Sequence, residues 1–577
     1  MKKNPGKNNY SWILVLIILV AINFLASIWH GRLDLTSEKR FTISSPTKKL
    51  LSHLDDPVKV TVFLDGDLPS GFRKLSNSSR EMLQEFRELS GNTVHYVFKK
   101  PGQGLDDSAK AEMMDSLRRM GINPTNVRAQ AKEGEGEEQR LVYPGALVEY
   151  KDRVLGVDLL QGQSSVDGMN SLNNAEALLE YKFANSIDKI IQDSVPVIGY
   201  LVGNGEPQNL QVYDLIQKNL KQNYGFSMVP IDSVTTIPSA FSLMMIVKPL
   251  VKFTDAQKLK IDQYIMRGGK VMWFIDNLYA SLDSLQRSQG NFIAFDLGLN
   301  LEDQLFKYGV RINQDLVQDL NCAQIPSVIG TVGDKPQIQL VPWPYFPLLS
   351  DPDNNPISKN LDYVLSQFPQ SIDTVTAPGI KKTILLSSSS GSRTISTPAQ
   401  VQWNSVRNEE DLKTFNKSNI PIAVLLEGKF HSVFSNRISS ALADTLKNIY
   451  GKPFLNQAEG DNKMIVVSDG DLVTNFFSQD KGPLAMGQNP YTLYQYSNRE
   501  FLMNCMEYLV GNPGILETRG KDYTLRLLDK KKLEERKNFW QMINIILPAG
   551  IILILGFLLA WVKRKKYQET TPASASI

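Results

Sequence analysis

Two short stretches of the chain hold the residues best placed to do chemistry. The first is Gly203-Asn204-Gly205-Glu206-Pro207, set between the apolar run VPVIGYLV (195–202) and the helix-like QNLQVYDLIQKNLKQNYG. Glycines between a strand and a helix are where many α/β proteins hold a phosphate on backbone amides. Here a dinucleotide fingerprint lacks its third glycine, because Gln208 stands in that place. Glu206 would set a carboxylate against the phosphate, and Pro207 supplies no amide hydrogen. The loop is expected to turn the chain and to offer Gly203, Asn204, Gly205 and Glu206 to a ligand other than a nucleotide. The second stretch is VVSDGDL, with Asp469 and Asp471 at the end of a strand, where open α/β sheets place their ligands. Paired carboxylates bind cations, but Asp-Gly-Asp is also ordinary turn chemistry, and the turn is the preferred reading.

Other catalytic constellations are absent from the sequence. No G-x-x-x-x-G-K-[ST] motif occurs, since RGGKV lacks both the first glycine and the hydroxyl, so the chain is not a P-loop ATPase. The four histidines, His30, His53, His95 and His431, are scattered singly, with no H-E-x-x-H or G-x-S-x-G motif. Cys322 and Cys505 do not make a disulfide framework, though one bridge is open to them. Cys505 in FLMNCMEYLV reads as a core thiol on a helix. Neither a catalytic residue, a metal site nor a cofactor is expected.

These residues need a scaffold of more than one core, because 577 residues exceed what a single domain buries. Residues 31–193 read as a first α/β domain. Strand VKVTVFLDGDLP, helix REMLQEFRELSG, strand TVHYVFKK, helix AKAEMMDSLRRMG and a strand pair lead to a closing helix AEALLEYKFANSIDKIIQD. The order suggests a thioredoxin-like arrangement, without redox activity because no C-x-x-C exists. Ser45 is expected to cap the first helix, with Pro46 in its first turn.

Residues 194–512 read as a second α/β domain, Rossmann-like or amidotransferase-like, with strands and helices alternating as in a parallel sheet. Thr254 caps one helix and Gly268-Gly269 ends it. From about 320 to 420 the pattern breaks into Pro- and Ser-rich pieces, read as an irregular insertion in which SSSSGSR is a flexible surface loop. A stalk is expected over 513–538.

The ends differ from the rest. Residues 12–29 and 539–562 are uncharged, edged by tryptophans and long enough to cross a bilayer. The first reads as an uncleaved signal anchor, and Pro548 is tolerated within the second. Lys2, Lys3, Lys7, Lys563, Arg564, Lys565 and Lys566 against Glu569 give the tails (1–11 and 563–577) +6, which leaves about −3 of the net +3 for the region between. Basic tails put both termini in the cytoplasm and the bulk of the chain on the other side of the membrane. A slightly acidic external region argues against a nucleic-acid partner.

The stretch RLDLTSEKRFTISSPTKKLLSHLDDPVKVTVFLDGDLP, followed by VIGYLVGNGEP, YIMRGGKVMWFIDN, YGVRINQDLVQD, VVSDGDLVTN and REFLMNCMEYLVGNPGILETRGK, resembles the auxiliary-component family of ABC transporters that includes gliding-motility proteins. The resemblance covers nearly the whole chain. The family loop often reads Gly-His-Gly-Glu-Pro, and Asn204 replaces that histidine here. The resemblance implies a non-enzymatic, membrane-anchored, substrate-binding-like subunit. It would work with a separate ABC ATPase and a separate permease, and bind an envelope polymer or protein. The rival readings are an envelope enzyme with an amidotransferase-like or hydrolase-like domain, and a passive periplasmic scaffold.

Overall fold

The computed structural model describes residues 16–20, 42–130, 137–160, 168–192, 194–288, 290–332, 335–359, 361–403, 409–435, 437–439, 444, 447–448, 451–520 and 537–568. The chain divides into two units, Met1–Asp522 and Tyr523–Ile577.

The first unit begins with α1 (Ser45–Ser52), whose cap is Ser44 rather than Ser45: the Ser44 hydroxyl accepts the Thr47 amide at 3.3 Å, with Pro46 in the first turn. Then come β1 (Val58–Val62), α2 (Ser70–Leu89), β2 (Val94–Phe98) and α3 (Asp107–Arg119). A hairpin of β3 (Thr125–Gln130) and β4 (Glu137–Val142) precedes β5 (Gly145–Tyr150), β6 (Arg153–Asp158) and the closing helix α4 (Leu179–Ile191). The four-stranded sheet runs β2-β1-β5-β6, with β1 parallel to β2 and antiparallel to β5. The apolar face of α2, through Phe72, Leu75, Leu83 and Phe86, is buried in the core that also holds Val58, Val60 and Val62.

A second sheet follows from the βα alternation of β7 (Val197–Val202), β8 (Gly225–Pro230), β9 (Phe241–Val247), α5 (Asp255–Met266) and β10 (Lys270–Phe274). It is completed by β11 (Ile380–Ser387), β12 (Pro421–Gly428), β13 (Asn462–Val467) and α6 (Asn498–Val510). The strand order is β11-β12-β13-β10-β9-β7-β8. The five strands from β13 to β8 are parallel, and β12 and β11 are added antiparallel. The chain goes from β7 outward to β8, then returns to the other side of β7 as β9, so the order reverses between β7 and β9. α5 carries the expected Thr254 cap as a full capping box with Gln257, and Gly268 beyond its end has φ +86°.

The expected insertion is neither irregular nor confined to 320–420. Between residues 278 and 402 the chain forms small antiparallel sheets, the longest pair being Cys322–Val332 with Lys335–Leu349. Their core is aromatic: Trp343 packs edge-on to Phe346 and Phe368 at 4.9 and 5.5 Å between ring centres. Meanwhile β11 returns to the main sheet. SSSSGSR is no flexible surface loop, because Ser387, Ser388 and Ser392 are buried. Its polar groups are satisfied at close range. Asp319 accepts the Ser389 amide at 2.6 Å and hydroxyl at 2.5 Å, and the Ser392 hydroxyl donates to Ser389 O at 2.9 Å. Hydroxyl-rich composition signals exposure only when such partners are missing.

The two α/β halves share one core, which joins Val60 of β1, Phe183 and Ile187 of α4, Tyr200 of β7, Val467 of β13 and Phe501 of α6. Lys189 of α4 pairs with the buried Glu507 of α6 at 3.2 Å. Residues 513–520 also belong to this unit, since Ile515 and Leu516 are buried in the same core. The expected stalk therefore starts no earlier than residue 521, and 521–536 lie outside the described residues.

The second unit contains α7 (Lys537–Gln568), helical through Pro548. Its segment Phe539–Val562 has mean hydropathy 2.7 and is long and apolar enough to cross a membrane, the one such helix among the described residues. The expected N-terminal span, 12–29, lies outside the described residues except for 16–20, which are helical and exposed.

Because Phe183 is fully buried in the shared core, Phe183→Ala is expected to cost about 3–5 kcal/mol. Residues of both halves should then unfold at the same lower denaturant concentration, as read by hydrogen exchange on β1 and β10.

Candidate functional site

Gly203 to Pro207 leave the carboxyl end of β7, on the β9 side of which the strand order reverses, where open α/β sheets form ligand crevices. Gly203 and Gly205 have φ of +140° and +82°, a backbone that turns successive amides toward one point. The Glu206 carboxylate fills that point: Oε2 accepts the Gly203 amide at 3.0 Å and the Asn204 amide at 2.7 Å. The anion in this nest is the chain's own side chain. Burial pushes Glu206 above the usual carboxylate range, opposed by these backbone hydrogen bonds and reinforced by Asp232.

Asn204 closes the crevice from the same loop. Its carbonyl accepts the Leu250 and Val251 amides, each at 2.8 Å, and its side-chain amide donates to Lys252 O and Gln257 Oε1, each at 3.2 Å. Gln257 in turn donates to Asp232 at 2.8 Å. Two buried oxygens, Asn204 Oδ1 and Glu206 Oε1, accept no hydrogen bond among the described residues. The loop thus spans the β7 exit, the β9 exit and the start of α5.

Asp469 and Asp471 follow β13, and the structure brings them to Asp276 beyond β10 and to Lys248 beyond β9. Lys248 Nζ contacts Asp471 Oδ1 directly and lies 3.7 Å from Asp276 Oδ2. Burial alone would lower the Lys248 ammonium, but Asp471 and then Asp276 outweigh it and hold the ammonium above its ordinary value. Asp276 accepts the Gly470 amide at 2.6 Å, and burial, against the pull of Lys248, pushes it up to about 6. A Cβ at Gly470 would stand 2.8 Å from Lys248 Cβ and 2.9 Å from Asp276 Oδ2, so only glycine lets the turn approach this closely.

Asp469 is fully buried and committed to the fold. It accepts the Ser366 hydroxyl at 2.5 Å, the Gln367 amide at 2.9 Å and the Asp471 amide at 2.7 Å. Burial raises it well above the carboxylate range, and repulsion from Asp276 and Asp471 adds to the shift. The Asp-Gly-Asp turn holds the 366–367 segment against the sheet edge. Among the described residues no group of three or more His, Cys, Asp or Glu side chains is arranged to hold a metal ion.

Sequence reasoning missed Lys248, the cation at the centre of the second cluster, and Ser366, which donates to Asp469. Lys248 was visible as a lone charge ending the apolar run SLMMIV before Pro249. Ser366 carried no signal, since only the fold brings it across a separation of 103 residues. Cys505 is buried on α6 as expected, and Cys322 and Cys505 are both free thiols.

Glu206→Ala leaves two backbone donors without their acceptor, one of them on the buried Asn204, and is expected to destabilise the fold by about 2–4 kcal/mol in denaturant titrations. Asp276 titrates above its unfolded value. Its folded form therefore takes up a proton that the unfolded chain does not, and stability contributed at low pH is lost as pH rises from about 4 to about 6. Asp276→Asn lacks that loss, so its stability relative to the natural protein should climb by about 1–3 kcal/mol between pH 4 and 7 and then level off. Paired denaturant titrations across that range measure the difference.

Residues 195–505 match the family described as an ABC-type uncharacterized transport system, and residues 37–149 match a domain of unknown function, DUF7088. An uncharacterized protein of Borreliella burgdorferi is 21% identical over 571 residues, covering 97% of this chain and 99% of that protein. Among solved structures, the mmIFT52 N-terminal domain is 15% identical and aligns over 55% of this chain and 98% of its own, with a TM-score of 0.29, too low to mark a shared fold. The family match takes in more than half of the 577 residues, including β7 through most of α6 and both clusters at the sheet edge, and the chain belongs to the ABC-type transport system auxiliary family.

Proposed function

We propose that the chain is a membrane-anchored, non-catalytic accessory subunit of an ABC transporter-type complex, substrate-binding-like in role and of the gliding-motility type represented by GldG. Its partners in this reading are a separate ABC ATPase and a separate permease, at a bacterial inner membrane, with both termini cytoplasmic and the α/β domains outside. The observation that carries the reading is the family match over 195–505. The apolar segment Phe539–Val562 supports anchoring.

The sheet edge supports a non-catalytic role. Glu206 is engaged by its own loop, Asp469 by three donors, and Lys248 by Asp471 and Asp276. None of these groups is poised as a free nucleophile or base. In this reading the Gly203–Glu206 loop braces the sheet edge, its two orphan oxygens lying buried, and an envelope polymer or protein is met by the exposed surface of the α/β domains.

Extraction of membranes with a mild detergent, followed by affinity purification of the folded protein, is expected to recover an ATPase carrying a P-loop and a polytopic permease. Recovery of the folded protein without either, under conditions that preserve known ABC assemblies, would contradict the reading.

A further inference from the structure

A cavity of about 360 Å³ opens at the end of the main sheet opposite the clusters described above. It lies where β9 and β10 begin and α5 ends. Its walls come from three separate parts of the chain: residues 236–241 before and at the start of β9, Leu259 to Gly269 of α5 and its end, and Lys452 between β12 and β13. Its size falls within the range of small-molecule sites, roughly 300–1,000 Å³.

The lining has a distinct chemistry. Ile237, Pro238, Phe241, Leu259 and Tyr264 give it an apolar body, and every charged residue on it is cationic: Lys260, Arg267 and Lys452. Glu459 bears on Arg267 from outside the lining, and Asp262, also outside it, accepts the Gln263 side-chain amide at 3.1 Å. A helix end with free carbonyls would repel an anion, but those of α5 are occupied. Gln263 O accepts from Arg267, Tyr264 O from the Gly269 amide, and Ile265 O from the Gly268 amide and the Asn462 side chain.

The cavity is also shaped by the Gly-Gly pair that ends α5. A Cβ at Gly269 would stand 2.4 Å from the Tyr264 ring, so the ring lies flat against backbone only because position 269 is glycine. The Tyr264 hydroxyl is pinned to Phe241 O at 2.9 Å, which fixes the ring as a wall. The Lys260 ammonium is drawn to Ile231 O, outside the lining, at 2.9 Å, so Lys260 contributes its stem; Arg267 is anchored on Pro453 O at 2.7 Å, and Lys452 is exposed.

We propose that this cavity binds a small soluble organic anion, with its acidic group toward Arg267 and Lys452 and an apolar, ring-sized body against Phe241, Leu259 and Tyr264. The site is remote from the sheet's carboxyl edge and does not depend on the transport reading; a ligand here fits a regulatory or carried small molecule equally.

Titration of the full-length protein in detergent micelles with phenyl phosphate, inorganic phosphate and benzyl alcohol tests the two halves of the site separately. Phenyl phosphate should bind saturably. Inorganic phosphate, lacking the body, and benzyl alcohol, lacking the charge, should each bind at least about ten-fold more weakly. Lys452→Glu, on an exposed side chain, should weaken phenyl phosphate by about five-fold or more and leave benzyl alcohol unchanged. Ala240→Trp, which fills the cavity from its rim, should abolish both. Absence of saturable phenyl phosphate binding, or binding unaltered by both substitutions in folded protein, would overturn the proposal.

Discussion

Two backbone amides at the end of β7, those of Gly203 and Asn204, converge on one point, and the Glu206 carboxylate occupies it. In a parallel sheet this is the crevice an external anion would enter. Once Glu206 sits there, an incoming phosphate would meet its carboxyl group, with the Gly203 and Asn204 amides already engaged. The same turn delivers the Asn204 carbonyl and side chain to the segment leaving β9 and to the cap of α5, so the crevice closes as it forms.

That closure sets the course of the β9 exit, which serves both clusters. Leu250 and Val251 give their amides to Asn204, and Lys248, two residues earlier, reaches Asp276 and Asp471 from a backbone with φ +46°. A left-handed lysine costs backbone energy, about 1–2 kcal/mol, and the Lys248 side chain that this turn presents is held by Asp471 and Asp276. Three neighbouring strand ends, β9, β10 and β13, are thereby tied by side chains.

How much of this was legible in the sequence depended on distance along the chain. The strands β7, β9 and β10 and the helix α5 announced themselves by apolar runs, a Thr254 cap and a Gly268-Gly269 stop, all local signals. The failure of Gly203–Pro207 as a nucleotide loop was also local, because it turned on Gln208, Glu206 and Pro207. That Glu206 folds back onto its own amides was not, for the sequence showed a charge without showing its direction. The β-rich region between 278 and 402 was hidden by Pro and Ser residues whose partners, such as Asp319 for Ser389, lie 70 residues away. The cationic cavity was hidden for the same reason: Phe241, Arg267 and Lys452 meet only after the sheet is assembled.

Closure of the β7 crevice by the protein's own carboxylate can be read from the backbone amide resonances of Gly203 and Asn204 while inorganic phosphate, and then Mg-ATP, are titrated into the protein. Both resonances should stay in place through the titration, because their hydrogen bonds end on Glu206. Saturable shifts of both amides, with Glu206 displaced, would contradict this closure.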